Sequence, residues 1–219
     1  MASKNINKKK RRAFFISFEG LEGSGKSSVI AYLVRYLRGQ GFSVRTFREP
    51  GSTKVGEKIR KILLDKKNKI SNYTELLLYL AARTQLIEEK LRAALNSYDI
   101  VVCDRFYDST VVYQGYGLAM GSLAWDAART FSLGLKPHLT LVLDSEVKTA
   151  LKRLRIKDRI ESRPLQFHIR LRRGYAHIAR QEPSRIKVID GNQELSALCE
   201  HIKDVVTESL KRWMSKKKS

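Results

Sequence analysis

Short apolar runs alternate along the chain with longer segments in which apolar residues recur every three or four positions. The first run, AFFISF at residues 13–18, precedes a segment at 26–38 whose valine, isoleucine and leucine side chains have helical spacing. Compact apolar runs are typical of buried strands, whereas the longer period predicts an amphipathic helix. The same reasoning predicts five strands, at residues 13–18, 43–47, 99–104, 138–144 and 185–191.

A long helix is predicted between the second and third strands, over residues 72–96, where leucine and isoleucine recur on one side. Strands that alternate with helices favour a parallel sheet with helices on both faces. The chain has no internal repeat and no low-complexity linker. We therefore expect one α/β domain, a doubly wound five-stranded parallel sheet, although the pattern leaves the strand order open.

Basic residues are concentrated at both ends of the chain and in one internal segment. The ends, residues 1–12 and 211–219, contain no acid and carry 11 of the 21 net positive charges. We expect solvated basic tails at 1–12 and 214–219, around a domain spanning 13–213, rather than a specific nucleic-acid site. The internal segment 152–173 has nine basic and two acidic residues, which indicates a polyanionic ligand.

The cysteines and the apolar runs bear on the cellular compartment. Cys103 and Cys199 form no C-x-x-C pair, which is typical of a reducing compartment. The apolar run at 13–18 is too short to cross a membrane and does not resemble a secretory signal. We expect a cytoplasmic protein that has no membrane partner.

A phosphate-binding motif follows the first predicted strand and opens the first predicted helix. The pattern Gly20-x-x-x-x-Gly25-Lys26-Ser27 matches the P-loop in full. Its glycines let backbone N–H groups surround an anion at the positive end of a helix. Lys26 would reach the β- and γ-phosphates of a nucleoside triphosphate, and the Ser27 hydroxyl would bind Mg²⁺. The predicted ATP-binding residues are Gly20, Leu21, Glu22, Gly23, Ser24, Gly25, Lys26, Ser27 and Ser28.

Carboxylates in and near this loop need a separate explanation. Asp104 ends the third predicted strand, and ligands gather at the carboxyl ends of strands in a doubly wound sheet. We therefore predict that Asp104 holds Mg²⁺ together with Ser27. Glu19 and Glu22 flank the phosphate position itself, where an acid is unfavourable. One of these two glutamates should therefore contact something other than phosphate.

Other P-loop proteins fit the sequence poorly. A GTPase would need Asn-Lys-x-Asp, and the nearest match, at residues 68–71, ends in serine. Motors and helicases are usually longer, so a small kinase remains. The chain then resembles the thymidylate kinases (dTMP kinases), particularly the bacterial type, from residue 14 to about residue 213. The motifs that carry the resemblance are FEGLEGSGKSS, REPGS, ELLLYLAARTQL, CDRFYDSTVVYQG, LDSEVKTALKR, DRIE and RLRRGY, in the family's order.

The resemblance implies phosphorylation of dTMP to dTDP with ATP, for dTTP synthesis, by in-line transfer with Mg²⁺ as cofactor. It also implies a homodimer formed through helices. Arg48 and Arg105 resemble the arginines that grip the dTMP phosphate, which suits a planar guanidinium. Tyr79 resembles the aromatic residue that stacks on thymine, although many members have phenylalanine there. Arg83, four residues further on and so on the same helix face, would donate to O4.

Four more acceptor-side residues are implied by the same resemblance. Thr110 and Gln114 would lie near the base, and the Tyr113 ring would crowd the 2′ position of a ribonucleotide. Glu22 would accept the 3′-hydroxyl of the acceptor sugar, which answers the question raised by its position in the loop. Tyr113 would thus select deoxyribose by overlap, while Glu22 would hold it.

A mobile lid at about residues 152–165 is implied as well. Because no arginine lies inside the P-loop, the chain resembles the type that carries its catalytic basic residues on a lid. Arg153 would also pack on adenine, and Glu161 would approach the acceptor. The lid residues implied are Arg153, Arg155, Lys157, Arg159 and Arg163, and the residues implied to be catalytic are Lys26, Arg105, Arg153 and Arg159.

Two alternative functions remain open at this point. A kinase of dUMP, another nucleoside monophosphate or a deoxynucleoside would keep the fold and change the acceptor. The paired phosphate arginines favour a monophosphate over a nucleoside. A nucleic-acid-stimulated P-loop ATPase would instead use the basic ends as grips and would bind in a salt-sensitive way. Aromatic residues, which stack on bases, are absent from those ends except for Trp213.

Overall fold

The computed structural model describes residues 13–154 and 158–216. Its strands are β1 (Phe14–Gly20), β2 (Val44–Arg48), β3 (Ile100–Asp104), β4 (Leu139–Asp144) and β5 (Ile186–Asp190). They form one sheet in the order β2-β3-β1-β4-β5, and every neighbouring pair is parallel. All five predicted strands are confirmed within two residues at either end. The order places β1, which leads into the P-loop, at the centre of the sheet.

Helices connect successive strands and cover both faces of this sheet. Two segments, Ile87–Leu91 and Val111–Gly117, are π-helical. The α-helices are α1 (Lys26–Gly39), α2 (Lys54–Leu64), α3 (Asn72–Leu86), α4 (Arg92–Ser97), α5 (Tyr107–Thr110), α6 (Gly121–Thr130), α7 (Val147–Lys152), α8 (Leu165–Gln181) and α9 (Leu195–Lys216).

Two apolar clusters lie on opposite faces of the sheet. Alternate residues of β1 divide between them: Phe14, Ile16 and Phe18 pack with α1 and α9, and Phe15 packs with the helices of the other face. A strand covered on both sides has no solvated face, so its sequence is almost uniformly apolar. This explains the unbroken run at the start of β1 and confirms the predicted α/β class.

The predicted long helix is continuous but not uniform. It begins after Ser71, whose hydroxyl accepts a hydrogen bond from the Thr74 backbone N–H (3.3 Å). A π-helical turn then separates α3 from α4. A π-turn adds one residue to a helical turn and is frequent at functional sites. Over a single turn this extra residue barely changes the spacing of apolar residues, so the sequence pattern predicts only one long helix.

The predicted lid falls between α7 and α8. Its residues 153–154 and 158–164 are described, whereas Arg155 and Lys157 lie outside the described residues. The predicted N-terminal tail, 1–12, also lies outside them. At the other end α9 continues to Lys216, so a helix extends into the predicted C-terminal tail at 214–219. Within 13–154 and 158–216, no helix is both long and apolar enough to cross a membrane.

Candidate active site

The P-loop turns sharply between β1 and α1. Gly20 and Gly23 have φ values of +130° and +74°, which side chains rarely adopt. A Cβ at Gly20 would lie 2.5 Å from the Leu143 carbonyl oxygen, and one at Gly23 would overlap the Ala150 carbonyl. Glycine is therefore required at both positions by backbone packing against β4 and α7, and the loop can close around an anion.

Lys26 lies inside this loop, with its ammonium group held by the loop itself. Its Nζ donates to the carbonyl oxygens of Gly20 (3.1 Å) and Leu21 (2.6 Å). Burial, followed by repulsion from Arg105, lowers the pKa of Lys26 to about 8. A phosphate oxygen could replace these carbonyls as a partner and would restore the favourable environment for positive charge.

A cavity of about 450 Å³ opens beside the loop, at the carboxyl ends of β2 and β3. Within the described part of the chain, four predicted residues do not line it: Gly20, Leu21, Arg159 and Arg163. The predicted residues that line it together are Glu22, Gly23, Ser24, Gly25, Lys26, Ser27, Ser28, Arg48, Tyr79, Arg83, Asp104, Arg105, Thr110, Tyr113, Gln114, Arg153 and Glu161.

Glu22 is paired with two residues that also line the cavity, Arg105 and Tyr113. It accepts hydrogen bonds from Arg105 Nη2 (2.8 Å) and from the Tyr113 hydroxyl (2.8 and 2.9 Å). Burial opposes ionisation, but Arg105 and Lys26 together hold the pKa of Glu22 below its ordinary value. Arg105 itself has a φ of +72°, a strained backbone of the kind that clusters at functional sites.

Arg83 is almost completely buried, and two of its three guanidinium nitrogens donate hydrogen bonds to protein atoms. Nε donates to Glu49 (2.8 Å) and Nη2 to the Phe106 carbonyl (3.1 Å). In the described residues, Arg83 Nη1, Glu49 Oε1 and Thr110 Oγ1 are buried and have no hydrogen-bond partner. Buried polar atoms normally have partners, and Arg83 and Thr110 line the cavity, so a polar ligand would satisfy them.

Tyr79 supplies an aromatic wall one helical turn before Arg83. It is partly buried and lines the cavity. Burial, reinforced by the charge of Glu75, raises the pKa of the Tyr79 hydroxyl, so the ring is neutral at ordinary pH. The other side of the cavity carries Arg153, whose Nη1 lies 3.4 Å from the Gly23 carbonyl oxygen.

Two further predicted arginines, Arg48 and Arg159, are also paired with protein carboxylates. Arg48 lines the cavity, but its guanidinium is half exposed and lies 3.1 Å from Glu57. Arg159 contacts the Leu63 carbonyl (2.6 Å) and the carboxylate of Glu75 (2.6 Å). The structure thus does not bring Arg159 to the cavity in this conformation, and its catalytic role stays a prediction.

Sequence reasoning missed a buried carboxylate network behind Arg105. Glu19 is completely buried and accepts from the Phe106 N–H (2.8 Å), from the Tyr175 hydroxyl (3.1 Å) and from Ser109. Arg105 Nη1 in turn donates to Ser109 (3.1 Å) and Tyr175 (3.2 Å).

Burial, and then the nearby charge of Asp108, raises the pKa of Glu19 to about 7. Only the position of Glu19 before the P-loop hinted at a role. Its partner Tyr175 lies 156 residues further on.

The residues that could hold a metal ion are Ser27 and Asp104. Both line the cavity, and both supply oxygen, which hard cations such as Mg²⁺ prefer. Ser27 lies in the first turn of α1 and Asp104 ends β3. Their oxygen chemistry and their position beside the P-loop therefore fit a hard divalent cation.

A P-loop at the centre of a five-stranded parallel sheet, next to an arginine-rich cavity, defines the P-loop nucleoside monophosphate kinase fold. Residues 18–202 match the family model described as thymidylate kinase.

A thymidylate kinase of Thermoanaerobacter sp. (strain X514) is 44% identical over 199 residues, covering 90% of this chain and 98% of that protein. One from Caldanaerobacter subterraneus subsp. tengcongensis is 41% identical over 203 residues, covering 91% of this chain and 98% of that protein.

The structure of thymidylate kinase from Ehrlichia chaffeensis superposes with a TM-score of 0.74 at 29% identity. The match covers 90% of this chain and 99% of that chain. The chain therefore belongs to the thymidylate kinase family, and the protein is an enzyme, a kinase.

Proposed function

We propose that this kinase transfers the γ-phosphoryl group of Mg²⁺-ATP to dTMP in line, releasing ADP and dTDP for dTTP synthesis. One observation carries the assignment: a single cavity is lined both by the P-loop and by Arg83, Tyr79 and Gln114. Triphosphate and base would thus occupy opposite ends of one site. Holding both reactants in line supplies much of the catalysis in phosphoryl transfer.

The donor end is formed by the P-loop and the lid. Backbone N–H groups and Lys26 would hold the ATP phosphates, and Arg153 would approach them across the loop. Mg²⁺, held through Ser27 and Asp104, would neutralise charge on the transferring phosphates. The segment between α7 and α8 would close as a lid over this end and exclude water, bringing further basic groups to the phosphates.

The acceptor phosphate would lie against Arg105 and Arg48. Arg105 is fixed on both sides, by Glu22 on one and by Ser109 and Tyr175 on the other. A guanidinium held in this way is already oriented for a bidentate phosphate contact. Among the described residues, the Arg48 guanidinium is held only by the exposed carboxylate of Glu57, which it could leave at little cost when a phosphate arrives.

Base choice would rest on Arg83 and Tyr79. The unpaired Nη1 of Arg83 would donate to O4 of thymine, while the Tyr79 ring stacks on the base. Cytosine presents an amino donor at the same place, so that two donors would face each other. The Thr110 hydroxyl is a second buried polar group of this cavity that has no partner among the described residues. A pyrimidine with a carbonyl at position 4 is therefore favoured.

The sugar would meet Tyr113 and Glu22. The Tyr113 hydroxyl donates to Glu22, and this bond would hold the ring where it crowds a 2′ substituent. A Glu22 carboxylate could still accept from a 3′-hydroxyl, because each oxygen has more than one lone pair. Glu161, from the lid side, lines the same cavity and would approach the acceptor when the lid closes.

The test is ADP formation with Mg²⁺-ATP and each of dTMP, dUMP, UMP, CMP, AMP and thymidine. We expect dTMP to exceed CMP and AMP in kcat/KM by on the order of 100-fold or more, because a wrong base leaves buried groups unpaired. Lys26→Ala should abolish transfer, and Lys211→Ala, an exposed lysine of α9, should not. Equal use of all acceptors, or hydrolysis that DNA or RNA stimulates, would overturn the proposal.

We also propose that the enzyme is a homodimer assembled through α2, α3 and α6. In the described residues these elements or their ends carry Ile62, Tyr73, Leu77, Leu123 and Phe131, which are all large, apolar and exposed by 40% or more. Adjacent exposed apolar side chains on packed helices are typical of an interface. A second copy of the chain would cover them by two-fold symmetry.

A cytoplasmic location is part of the same proposal. Cys103 and Cys199 are both free and buried, and unpaired thiols suit a reducing compartment.

A further inference from the structure

Glu75 is a completely buried carboxylate that lies outside the residues assigned a role so far. It belongs to the first turn of α3, and its side chain has 0% exposure. Oε1 accepts from Gln114 Nε2 (3.0 Å). Oε2 accepts from Arg159 Nη2 and Arg163 Nη2, both at 2.6 Å. One carboxylate thus joins the base end of the cavity to the segment that precedes α8.

The two guanidinium groups make a buried negative charge acceptable at this place. An isolated carboxylate would be very unfavourable here, whereas two charge-assisted hydrogen bonds compensate its burial. An ionised carboxylate has no hydrogen to donate. The group of Gln114 that faces Glu75 must therefore be its amide NH₂, which fixes the orientation of the amide on chemical grounds.

The orientation of this amide decides what Gln114 offers to a base. One N–H of Nε2 donates to Glu75, which turns the NH₂ group toward that carboxylate. The carbonyl oxygen Oε1, at the other end of the amide, would then face a ligand in the cavity that Gln114 lines. Thymine and uracil carry a hydrogen on N3, whereas N3 of cytosine is an acceptor. Gln114 and Arg83 line the same cavity, and Arg83 Nη1 has no partner among the described residues. The amide oxygen and Nη1 would therefore complement N3–H and O4 of thymine together.

We propose that Glu75 is a positioning residue for base selection: it holds the Gln114 amide so that its oxygen, not its NH₂ group, faces the base. This inference rests on the proposed dTMP kinase function and names how the same site rejects cytosine. In this structure Arg159 and Arg163 both donate to Oε2 of Glu75, so Oε1 is the oxygen that stays on Gln114.

The first test is Glu75→Gln in the full-length enzyme, with dTMP and dCMP as acceptors. The new amide would keep its oxygen on the arginines and turn its NH₂ group to Gln114, which would then reverse. We expect kcat/KM for dTMP to fall by about tenfold or more, the effect of one opposed hydrogen bond. The ratio of kcat/KM for dTMP to kcat/KM for dCMP should fall by the same factor, and KM for ATP should be unchanged. Equal losses for the two acceptors, or a parallel rise in KM for ATP, would overturn the proposal.

A double-mutant cycle with Gln114→Leu separates positioning from a merely structural role. If Glu75 acts through Gln114, adding Glu75→Gln to Gln114→Leu should change the dTMP to dCMP ratio by less than about twofold. A full additive loss in the double variant would contradict this. Glu88→Gln is the matched control, because Glu88 pairs with Arg92 on the exposed surface; it should leave the ratio unchanged.

A measurement on the unaltered chain covers the case in which Glu75→Gln does not fold. Glutamine side chains are labelled with ¹⁵N, and the Gln114 NH₂ signals are assigned by their loss in Gln114→Leu. An NH₂ group bound to Glu75 should be protected from solvent exchange both before and after dTMP binds. Protection that is absent, or that arises only with dTMP, would refute the orientation.

A failure of the proposed dTMP kinase function and a failure of the proposed role of Glu75 would give different results. An unaltered enzyme that does not phosphorylate dTMP would overturn the proposed function itself. If the unaltered enzyme phosphorylates dTMP and the Glu75→Gln variant has the same preference for dTMP over dCMP, only the role of Glu75 would be overturned.

Discussion

Charged side chains in this site are held in pairs or larger groups, each with a different consequence for ligand binding. Glu22 fixes Arg105, Glu49 fixes Arg83, and Glu75 is shared by two further arginines. Because Arg105 and Arg83 are oriented before a ligand arrives, little conformational entropy is lost at these two side chains on binding. At the residue scale, the acids of the site therefore act mainly by orienting cations.

Replacing Glu22 tests this view directly. In Glu22→Gln the ion pair with Arg105 is replaced by a weaker hydrogen bond from the charged guanidinium to a neutral amide, and the proposed contact to the acceptor sugar weakens with it. We expect KM for dTMP to rise by about tenfold while KM for ATP changes less than about twofold. Steady-state kinetics with each substrate varied in turn would measure both constants.

The control for that change is Glu208→Gln, whose exposed pair with Arg212 lies on α9 and should leave both constants as they are. Equal losses for dTMP and ATP in Glu22→Gln would contradict the assignment of Glu22 to the acceptor.

At the element scale, strand ends and irregular helical turns place the functional groups. Asp104 ends β3, and the P-loop follows β1, its neighbour in the sheet. Both Tyr113 and Gln114 lie in the π-helical segment Val111–Gly117. A wider helical turn changes the direction of successive side chains relative to an α-helix. The tyrosine and the glutamine can therefore both line the cavity although they are adjacent in sequence.

The prediction at this scale concerns Arg159, which lies in the segment that we propose acts as a lid. Its side chain contacts Glu75 and the Leu63 carbonyl in this structure, so action on the phosphates requires the lid segment to rearrange. We expect Arg159→Ala to lower kcat by about tenfold or more, with ATP affinity changed less than about twofold, because the group acts mainly in the transition state. Rapid-quench kinetics and ATP titration would measure the two effects.

Arg180→Ala, a change at an exposed arginine near the end of α8, serves as the control. If turnover by Arg159→Ala equals that of the unaltered enzyme, Arg159 has no part in the mechanism.

At the scale of the whole molecule, α2, α3 and α6 expose large apolar side chains to solvent. Tyr73 and Leu77 are exposed by 66% and 61%, one turn apart on α3. In a two-fold dimer both copies of each residue would lie in the same interface, so a single substitution changes that interface at two places.

We expect Leu77→Lys to weaken self-association by at least about tenfold, because two unpaired charges would be buried in the interface. Sedimentation velocity over a concentration series would report the change from dimer to monomer. Leu195→Lys, at another exposed leucine on α9, should leave the association unchanged. An unaltered chain that sediments as a monomer at all concentrations would refute the dimer.

The sequence by itself determined the features that depend on neighbouring residues. The P-loop, the five strands and the Asp104–Arg105 pair are each contiguous, and local spacing with turn chemistry is enough to predict them. The α/β class follows because strands that alternate with helices have few stable arrangements. The family resemblance then implied most of the residues that line the cavity.

Only the tertiary structure decided how the site is held together. The Glu19–Tyr175 contact and the three hydrogen bonds to Glu75 join residues that lie 39 to 156 positions apart in the chain. The strand order likewise depends on which strands become neighbours in the sheet. No local period records such contacts. They arise because burying a carboxylate requires partners from whichever elements the fold brings near, and that is settled only when the whole core packs.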